Sequence, residues 1–246
     1  MISNFIIAIP ARYKSTRLPG KPLKDINGKA MIHRVWDICV KAVGRENSIV
    51  LTDNNLIRDY CIRKNIKFYM TSANCKTGTD RIYEFSKKHK YKYYINVQGD
   101  EPLLNPNHIL SVLKLIKQKK QTVNCYSDCT IKEYKSVNIP KVVVDESENL
   151  VYMSRAPIPA SKNNLEKIKS YKQICIYGFT YADLKLFGKL NKKTRNERYE
   201  DIEILRLLDM GKNIKMLKVK SNSIAVDTLK DLKKVRQIFE NKSKKY

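Results

Sequence analysis

The stretch Pro10-Ala11-Arg12-Tyr13-Lys14-Ser15-Thr16-Arg17-Leu18-Pro19-Gly20-Lys21-Pro22-Leu23 gathers Arg12, Lys14, Arg17 and Lys21 with two hydroxyls and a glycine, just after an apolar run at 5–9. A loop of that kind beyond a buried strand can wrap a polyphosphate, with cations and backbone N–H groups neutralising it. It matches neither G-x-x-x-x-G-K-[ST] nor G-x-G-x-x-G, so those NTPase and dinucleotide loops are excluded. A second segment, Asn96-Val97-Gln98-Gly99-Asp100-Glu101-Pro102, runs from an apolar strand into Gly-Asp, and Asp227 stands at another strand-to-helix junction. Mg²⁺ takes one or two such carboxylates together with phosphate oxygens. The plainer alternatives are a turn begun by Asp100 and a helix capped by Asp227. His33, His89 and His108 are isolated, and the six cysteines are scattered without a C-x-x-C pair. They read as reduced thiols packed like small hydrophobes rather than as a zinc site.

Positioning those groups requires a sheet. The run at 5–9, closed by Pro10, has the pattern of a strand buried on both faces. Met31, Ile32, Val35, Ile38, Cys39 and Ala42 recur at helical spacing over 31–43, with Trp36 among the packing positions. Strands are expected at 48–52, 67–70 and 93–97, and helices over about 55–65, 79–88 and from Pro106, which suits a first helical turn. The alternation predicts an α/β fold, a doubly wound and mostly parallel sheet with ligands beyond the carboxyl ends of its strands. The segments after Ile9 and Val97 then face one crevice. From Val123 onward short strands crowd at 141–144, 150–153 and 173–179, punctuated by Pro140, Pro157 and Pro159. An inserted antiparallel lobe is therefore expected over about 123–180 of a single domain, 1–246. A helix at 199–210, a strand at 214–219 and a helix at about 228–240 follow.

The chain has 246 residues, 49 Lys and Arg against 24 Asp and Glu, and a formal charge of +25. Its 42% hydrophobic and 30% charged residues suit a folded protein rather than a disordered one. No apolar run approaches the ~18–20 residues that span a bilayer, and 1–10 lack the features of a secretory signal. A cytoplasmic protein without a membrane partner is expected. The charge is spread along the chain apart from short knots at 117–120 and 242–246, as on a lysine-rich surface. A basic nucleic-acid-binding protein is the rival reading, and it would interleave aromatics within one basic stripe. Only Tyr91, Tyr93 and Tyr94 hint at that, so no nucleic-acid partner is expected.

The motifs add up to a family. Ile9-Pro10-Ala11-Arg12 with Ser15, the run from Arg17 to Leu23, Thr77-Gly78-Thr79-Asp80-Arg81, Val97-Gln98-Gly99-Asp100-Glu101-Pro102, Ser154-Arg155-Ala156, Ile176-Tyr177-Gly178-Phe179 and Val226-Asp227-Thr228 resemble the 3-deoxy-manno-octulosonate (Kdo) cytidylyltransferases. The resemblance extends from Ile9 to Leu232. It implies a nucleotide-diphospho-sugar transferase-like fold and transfer of CMP from CTP to the anomeric hydroxyl of a 2-keto-3-deoxy sugar acid, for lipopolysaccharide or capsule synthesis. By the same resemblance Arg12, Ser15 and Lys21 hold the triphosphate. Pro10, Ala11, Thr77, Thr79, Arg81 and Gln98 lie near the cytidine, and Asp100 and Asp227 bind Mg²⁺. Arg12, Lys21, Asp100 and Asp227 are then the catalytic set, in a homodimer formed through the inserted lobe.

The acceptor side departs from the family. A His and a Gln that face the sugar there are Gln173 and Ile204 here, and Phe179 replaces a Tyr. Loss of a polar partner is a change that sites discriminate strongly, so another nonulosonic or octulosonic acid, or a phosphonate, is the alternative acceptor. Arg81, Arg155, Gln173, Tyr177, Glu203 and Ile204 are the candidates for the acceptor pocket, the arginines for their bidentate fit to a carboxylate. For Tyr177 the alternative is core packing, and for Glu203 a pairing with Arg206 along a helix.

Overall fold

Apolar residues at every position of a strand require cover on both faces, and that requirement organises this chain. The structure, a computed structural model, describes residues 4–15, 17–162 and 169–243, with side chains through Asn241. Thr16 and the side chains of the basic knot at 242–246 lie outside the described residues. In chain order the elements are β1 (Phe5–Ala11), a 3₁₀ turn (Lys21–Leu23), β2 (Asp25–Ile26), β3 (Lys29–Ala30), α1 (Met31–Val43), β4 (Ser48–Thr52), α2 (Asn55–Arg63), β5 (Phe68–Met70), α3 (Gly78–Lys88), β6 (Tyr93–Val97) and α4 (Pro106–Lys119). There follow β7 (Val123–Asp128), α5 (Ile131–Tyr134), β8 (Lys141–Val144), β9 (Leu150–Ser154), β10 (Tyr171–Thr180), α6 (Tyr181–Lys189), α7 (Arg195–Glu200), α8 (Leu205–Asp209), β11 (Lys215–Lys218) and α9 (Leu229–Ser243).

The main sheet runs β11-β7-β10-β6-β1-β4-β5. β1 lies between β4 and β6 and is parallel to both, and β5 extends the parallel set beyond β4. Along β1, Ile7, Ile9 and Ala11 enter one core with Trp36 and Cys39 of α1 and Ile109, Val112 and Ile116 of α4. Ile6 and Ala8 enter the opposite core with Ile82 and Phe85 of α3 and Leu184 and Phe187 of α6. This two-sided cover makes the sheet a mixed, mainly parallel α/β arrangement. No helix among the described residues is long and apolar enough to cross a membrane. All six cysteines are free thiols, and Cys39, Cys61 and Cys125 are buried in packing positions.

Two expectations are corrected. The segment at about 123–180 does not stand apart as a lobe, because β7 and β10 are strands of the main sheet. β10 pairs antiparallel with both β6 and β7. Its Gly178 allows this closeness, since a Cβ there would lie 3.1 Å from Val112 and 3.2 Å from Ile116 of α4. Only β8 and β9 branch away, as a hairpin joined to the start of β10. The helix expected at 199–210 is two short helices, broken at Asp201, whose φ is 50°. Glu203 and Arg206 do not pair with each other, because Glu203 accepts from Gly78 and Thr79 at the start of α3. The buried Arg206 guanidinium bonds Glu197 at 2.7 Å and Asp80 at 2.7 Å and lies 3.7 Å from the Phe187 ring centroid. The sequence reading leaves α6 unassigned, although Thr180 caps it through the Asp183 N–H.

Arg206 ties α7 to the first turn of α3, and its loss strands the fully buried Glu197 carboxylate. Arg206→Met is expected to lower the unfolding free energy by about 3–5 kcal/mol in urea denaturation. A loss under about 1 kcal/mol would show that the pair contributes little to stability.

Candidate active site

The cationic loop leaves β1 at the carboxyl edge of the sheet and is tied back on itself. The Gly20 N–H donates to the Tyr13 carbonyl at 3.2 Å, and Leu18 is buried with Ile26, Met31, Val226 and Leu232. Gly20 has φ 67° and packs on the Tyr13 ring, a conformation suited to glycine. This closure delivers Lys21 into the crevice with Pro22 behind it at the start of the 3₁₀ turn. Arg12 and Lys14 remain exposed and Ser15 is half-buried. Arg12 Nη1 donates to the Lys76 carbonyl at 3.0 Å, joining this loop to the one before α3.

The carboxylates arrive from two other places. β6 ends at Val97, and the turn Gln98-Gly99-Asp100 passes close to β1. A Cβ on Gly99 would stand 3.0 Å from the Pro10 carbonyl oxygen and 3.2 Å from Ile32. The Val226 N–H donates to the Asp100 carbonyl at 2.9 Å, which sets Asp227 beside Asp100. Asp227 is not a helix cap. Thr228 and Asp231 cap each other at the start of α9, leaving the Asp227 carboxylate to face the crevice.

Lys21 joins them. Its Nζ donates to Asp100 Oδ2 at 2.7 Å and to Asp227 Oδ1 at 3.1 Å. Burial disfavours the charged ammonium, but the two carboxylates outweigh it, and the Lys21 pKa lies above the ordinary lysine value. Arg17, noted only as a loop cation, proves to be part of the cluster: Nη2 stands 3.2 Å from Asp227 Oδ1, and Nη1 donates to Asn138 Oδ1 at 3.1 Å. Next to the cluster, burial pushes the Glu101 pKa up to about 7, while a hydrogen bond from Ser223 pulls it down. As a metal site the donor set fits Mg²⁺: two hard oxygens from separate carboxylates converge on one point where a cation is already held. No group of three or more His, Cys, Asp or Glu among the described residues forms a protein-only cage. The remaining positions around such an ion fall to substrate oxygens and water.

The residues assigned near the cytidine divide. Pro10, Ala11 and Gln98 lie at the carboxyl ends of β1 and β6, and Gly78 packs against Pro10 and Gln98. Thr77 caps α3 in a reciprocal pair with Asp80, and Thr79 is buried. Arg81 does not face the crevice. It is buried under α3, where it donates to Asp53 Oδ2 at 2.8 Å and to Thr71 Oγ1 at 2.7 Å. Its role is to tie α3 to the ends of β4 and β5, which corrects both assignments made for it.

The acceptor candidates are committed to internal contacts. Arg155 donates to the carbonyls of Glu200 and Asp201 and, at 3.2 Å each, of Val137 and Asn138, gripping two loops. Gln173 Nε2 donates to Asn124 Oδ1 at 3.0 Å and to the Tyr177 hydroxyl at 3.1 Å. Asn124 donates to the carbonyls of Ile174 and Ile176, where β10 shifts register against β7. Tyr177 is buried and stacked on Phe179, the packing alternative. Ile204 is fully buried core, and Glu203 bonds the first turn of α3. Asn124 and Asn96 are fully buried amides on β7 and β6, a polar residue type at a strand position that the sequence does show. A separate cavity of about 390 Å³ on the outer side of α3, lined by Ser72, Cys75, Tyr83 and Glu84 among others, shares no residue with the carboxylate cluster.

Comparison with known proteins agrees with this geometry. Residues 6–236 match the family described as cytidylyltransferase. A 3-deoxy-manno-octulosonate cytidylyltransferase of Elusimicrobium minutum is 35% identical, covering 98% of this chain and 100% of its own. One from Escherichia coli is 34% identical, with 97% of each chain covered. Among solved structures, CMP:2-keto-3-deoxy-manno-octonic acid synthetase complexed with CTP superposes with a TM-score of 0.90 at 33% identity, over 98% of this chain and 100% of that one. A cytidylyltransferase from Leptospira borgpetersenii shares the fold at 15% identity, with a TM-score of 0.64, over 97% of this chain and 87% of its own. With a family match over residues 6–236 and relatives about 35% identical over their full length, the chain belongs to the cytidylyltransferase family.

Proposed function

We propose that the chain transfers CMP from CTP to the anomeric hydroxyl of Kdo and releases pyrophosphate. The observation that supports this most directly is the Lys21 ammonium shared by Asp100 and Asp227 at the mouth of a cationic loop. The relatives' names supply the nucleotide and the sugar acid.

Binding a triphosphate exchanges partners in the cluster. Phosphate oxygens compete with Asp100 and Asp227 for Lys21 and Arg17, and with the Lys76 carbonyl for Arg12. Asp100 and Asp227, released from Lys21, would hold Mg²⁺, whose chemistry there is to neutralise phosphate charge and lower the pKa of a neighbouring hydroxyl. The acceptor's anomeric oxygen forms a bond to the α-phosphorus as its proton passes to solvent water. The bond from the α-phosphorus to the bridging oxygen breaks, and the electron pair leaves on pyrophosphate. Arg12, Arg17 and Lys21 stabilise the charge that builds on the leaving group.

A second reading of the acceptor rests on Ile204 and Gln173. Ile204 is wholly buried, and the Gln173 amide nitrogen is committed to Asn124 and Tyr177. The sugar therefore meets a different set of partners here, which favours an analogue of Kdo as the alternative. We further place the enzyme in the cytoplasm, in lipopolysaccharide or capsule synthesis, as a homodimer. The exposed apolar side chains of Ile131, Val137 and Val151 around the β8–β9 hairpin support that pairing.

Pyrophosphate release with CTP, Mg²⁺ and Kdo is expected, and Asp100→Ala is expected to reduce it by about 10²-fold or more. Chelation by EDTA should abolish it and added Mg²⁺ restore it. Release only with another sugar acid or a phosphonate would keep the transfer chemistry and move the acceptor; no CTP binding at all would sink the proposal. Sedimentation should give about twice the 28.7 kDa chain mass, and a monomer at micromolar concentration would contradict the dimer.

A further inference from the structure

We propose that Glu203 is a positioning residue for the nucleotide, fixing the first turn of α3 against Pro10 and Gln98. The inference rests on the CTP-transfer reading, which places the cytidine beside those residues.

Both carboxylate oxygens of Glu203 serve this turn. Oε1 accepts from the Gly78 N–H at 3.0 Å, and Oε2 accepts from the Thr79 N–H at 2.9 Å and the Thr79 hydroxyl at 2.6 Å. The Thr77–Asp80 pair already satisfies the Thr77 and Asp80 N–H groups. Glu203 therefore takes the first-turn donors that local capping leaves open. It comes from the break between α7 and α8, more than a hundred residues away in sequence, while Arg206 from the same segment grips Asp80.

The tie continues into the sheet. The Thr79 hydroxyl has one proton, and Glu203 takes it, so the Asn96 atom 3.2 Å away must be its donor nitrogen. Asn96 is fully buried on β6, and its Oδ1 has no partner. A buried amide oxygen left unpaired is costly, and the other end of the side chain accounts for its presence: it anchors Thr79. Asn96, Thr79 and Glu203 thus form a continuous strut from the central sheet to the α7–α8 segment. What the strut holds in place is close-packed. A Cβ on Gly78 would stand 2.9 Å from Pro10 and 3.2 Å from Gln98 Nε2. Loosening the turn by about an ångström would open that wall of the crevice, a displacement large enough to matter in a recognition site.

The proposal separates Glu203 from an acceptor ligand and from a mere helix cap. Titration calorimetry of the full chain with CTP and with UTP, without acceptor, compares wild type with Glu203→Gln and Thr79→Val. Gln preserves size but presents an NH₂ group in place of one of the two acceptor oxygens that serve these three donors. Glu203→Gln is expected to bind CTP about tenfold more weakly and to lose about threefold of the preference for CTP over UTP. Thr79→Val should shift both in the same direction by less. Unchanged CTP affinity in Glu203→Gln would overturn the proposal, and a raised acceptor KM in a separate pyrophosphate-release assay would then make Glu203 an acceptor ligand. Weaker binding of both nucleotides in equal proportion, with a lowered Tm, would make it a structural cap and overturn it too. Failure of the wild type to bind CTP is a separate result, which overturns the functional reading and this inference with it.

Discussion

Asp100 and Asp227 approach one another across a cation, and the chain supplies it. The Asp100–Lys21–Asp227 cluster joins residues from the start, middle and end of the sequence. Each must be carried to one point by a different device: a loop folded back after β1, a tight glycine turn after β6, and a backbone bond from Val226 to the Asp100 carbonyl. The sheet's parallel centre makes this possible, because it places the carboxyl ends of β1 and β6 side by side. The cores on its two faces hold the strands that carry these groups.

The same cluster explains how a strongly charged crevice can exist before substrate arrives. Lys21 and Arg17 neutralise the carboxylates, and the carboxylates keep those cations in the crevice. A triphosphate offers the cations better partners, with more oxygens and more charge. In the proposed reaction Asp100 and Asp227, freed of Lys21, would then hold the divalent ion.

The residues that gather at the carboxyl edge of the sheet are legible in the sequence because they lie in short continuous motifs. Arg12, Lys21, Gln98 and Asp100 fall where strand endings place them, and the parallel core follows from unbroken apolar runs such as 5–9. What escaped were contacts made across long separations. Arg81 sits in a motif, yet its partner Asp53 lies 28 positions away, and only packing reveals that the guanidinium points beneath α3. The helix expected at 199–210 breaks at Asp201, and beyond the break Glu203 bonds α3 while Arg206 bonds both α3 and α7. The prolines around β10 suggest a separate lobe, whereas Gly178 lets the strand pack under α4 in the main sheet. Asn124 and Asn96 could have been noticed as amides at strand positions, although their partners could not.

The central claim is that Lys21 occupies the cation position between Asp100 and Asp227 until a triphosphate draws it away. Mn²⁺ binding followed by electron paramagnetic resonance tests this most directly, with wild type and Lys21→Met, in the absence of nucleotide. The account predicts weak Mn²⁺ binding to the wild type and binding about tenfold tighter or more to Lys21→Met, where the carboxylates have lost their internal cation. Equal Mn²⁺ affinity in the two proteins would contradict it.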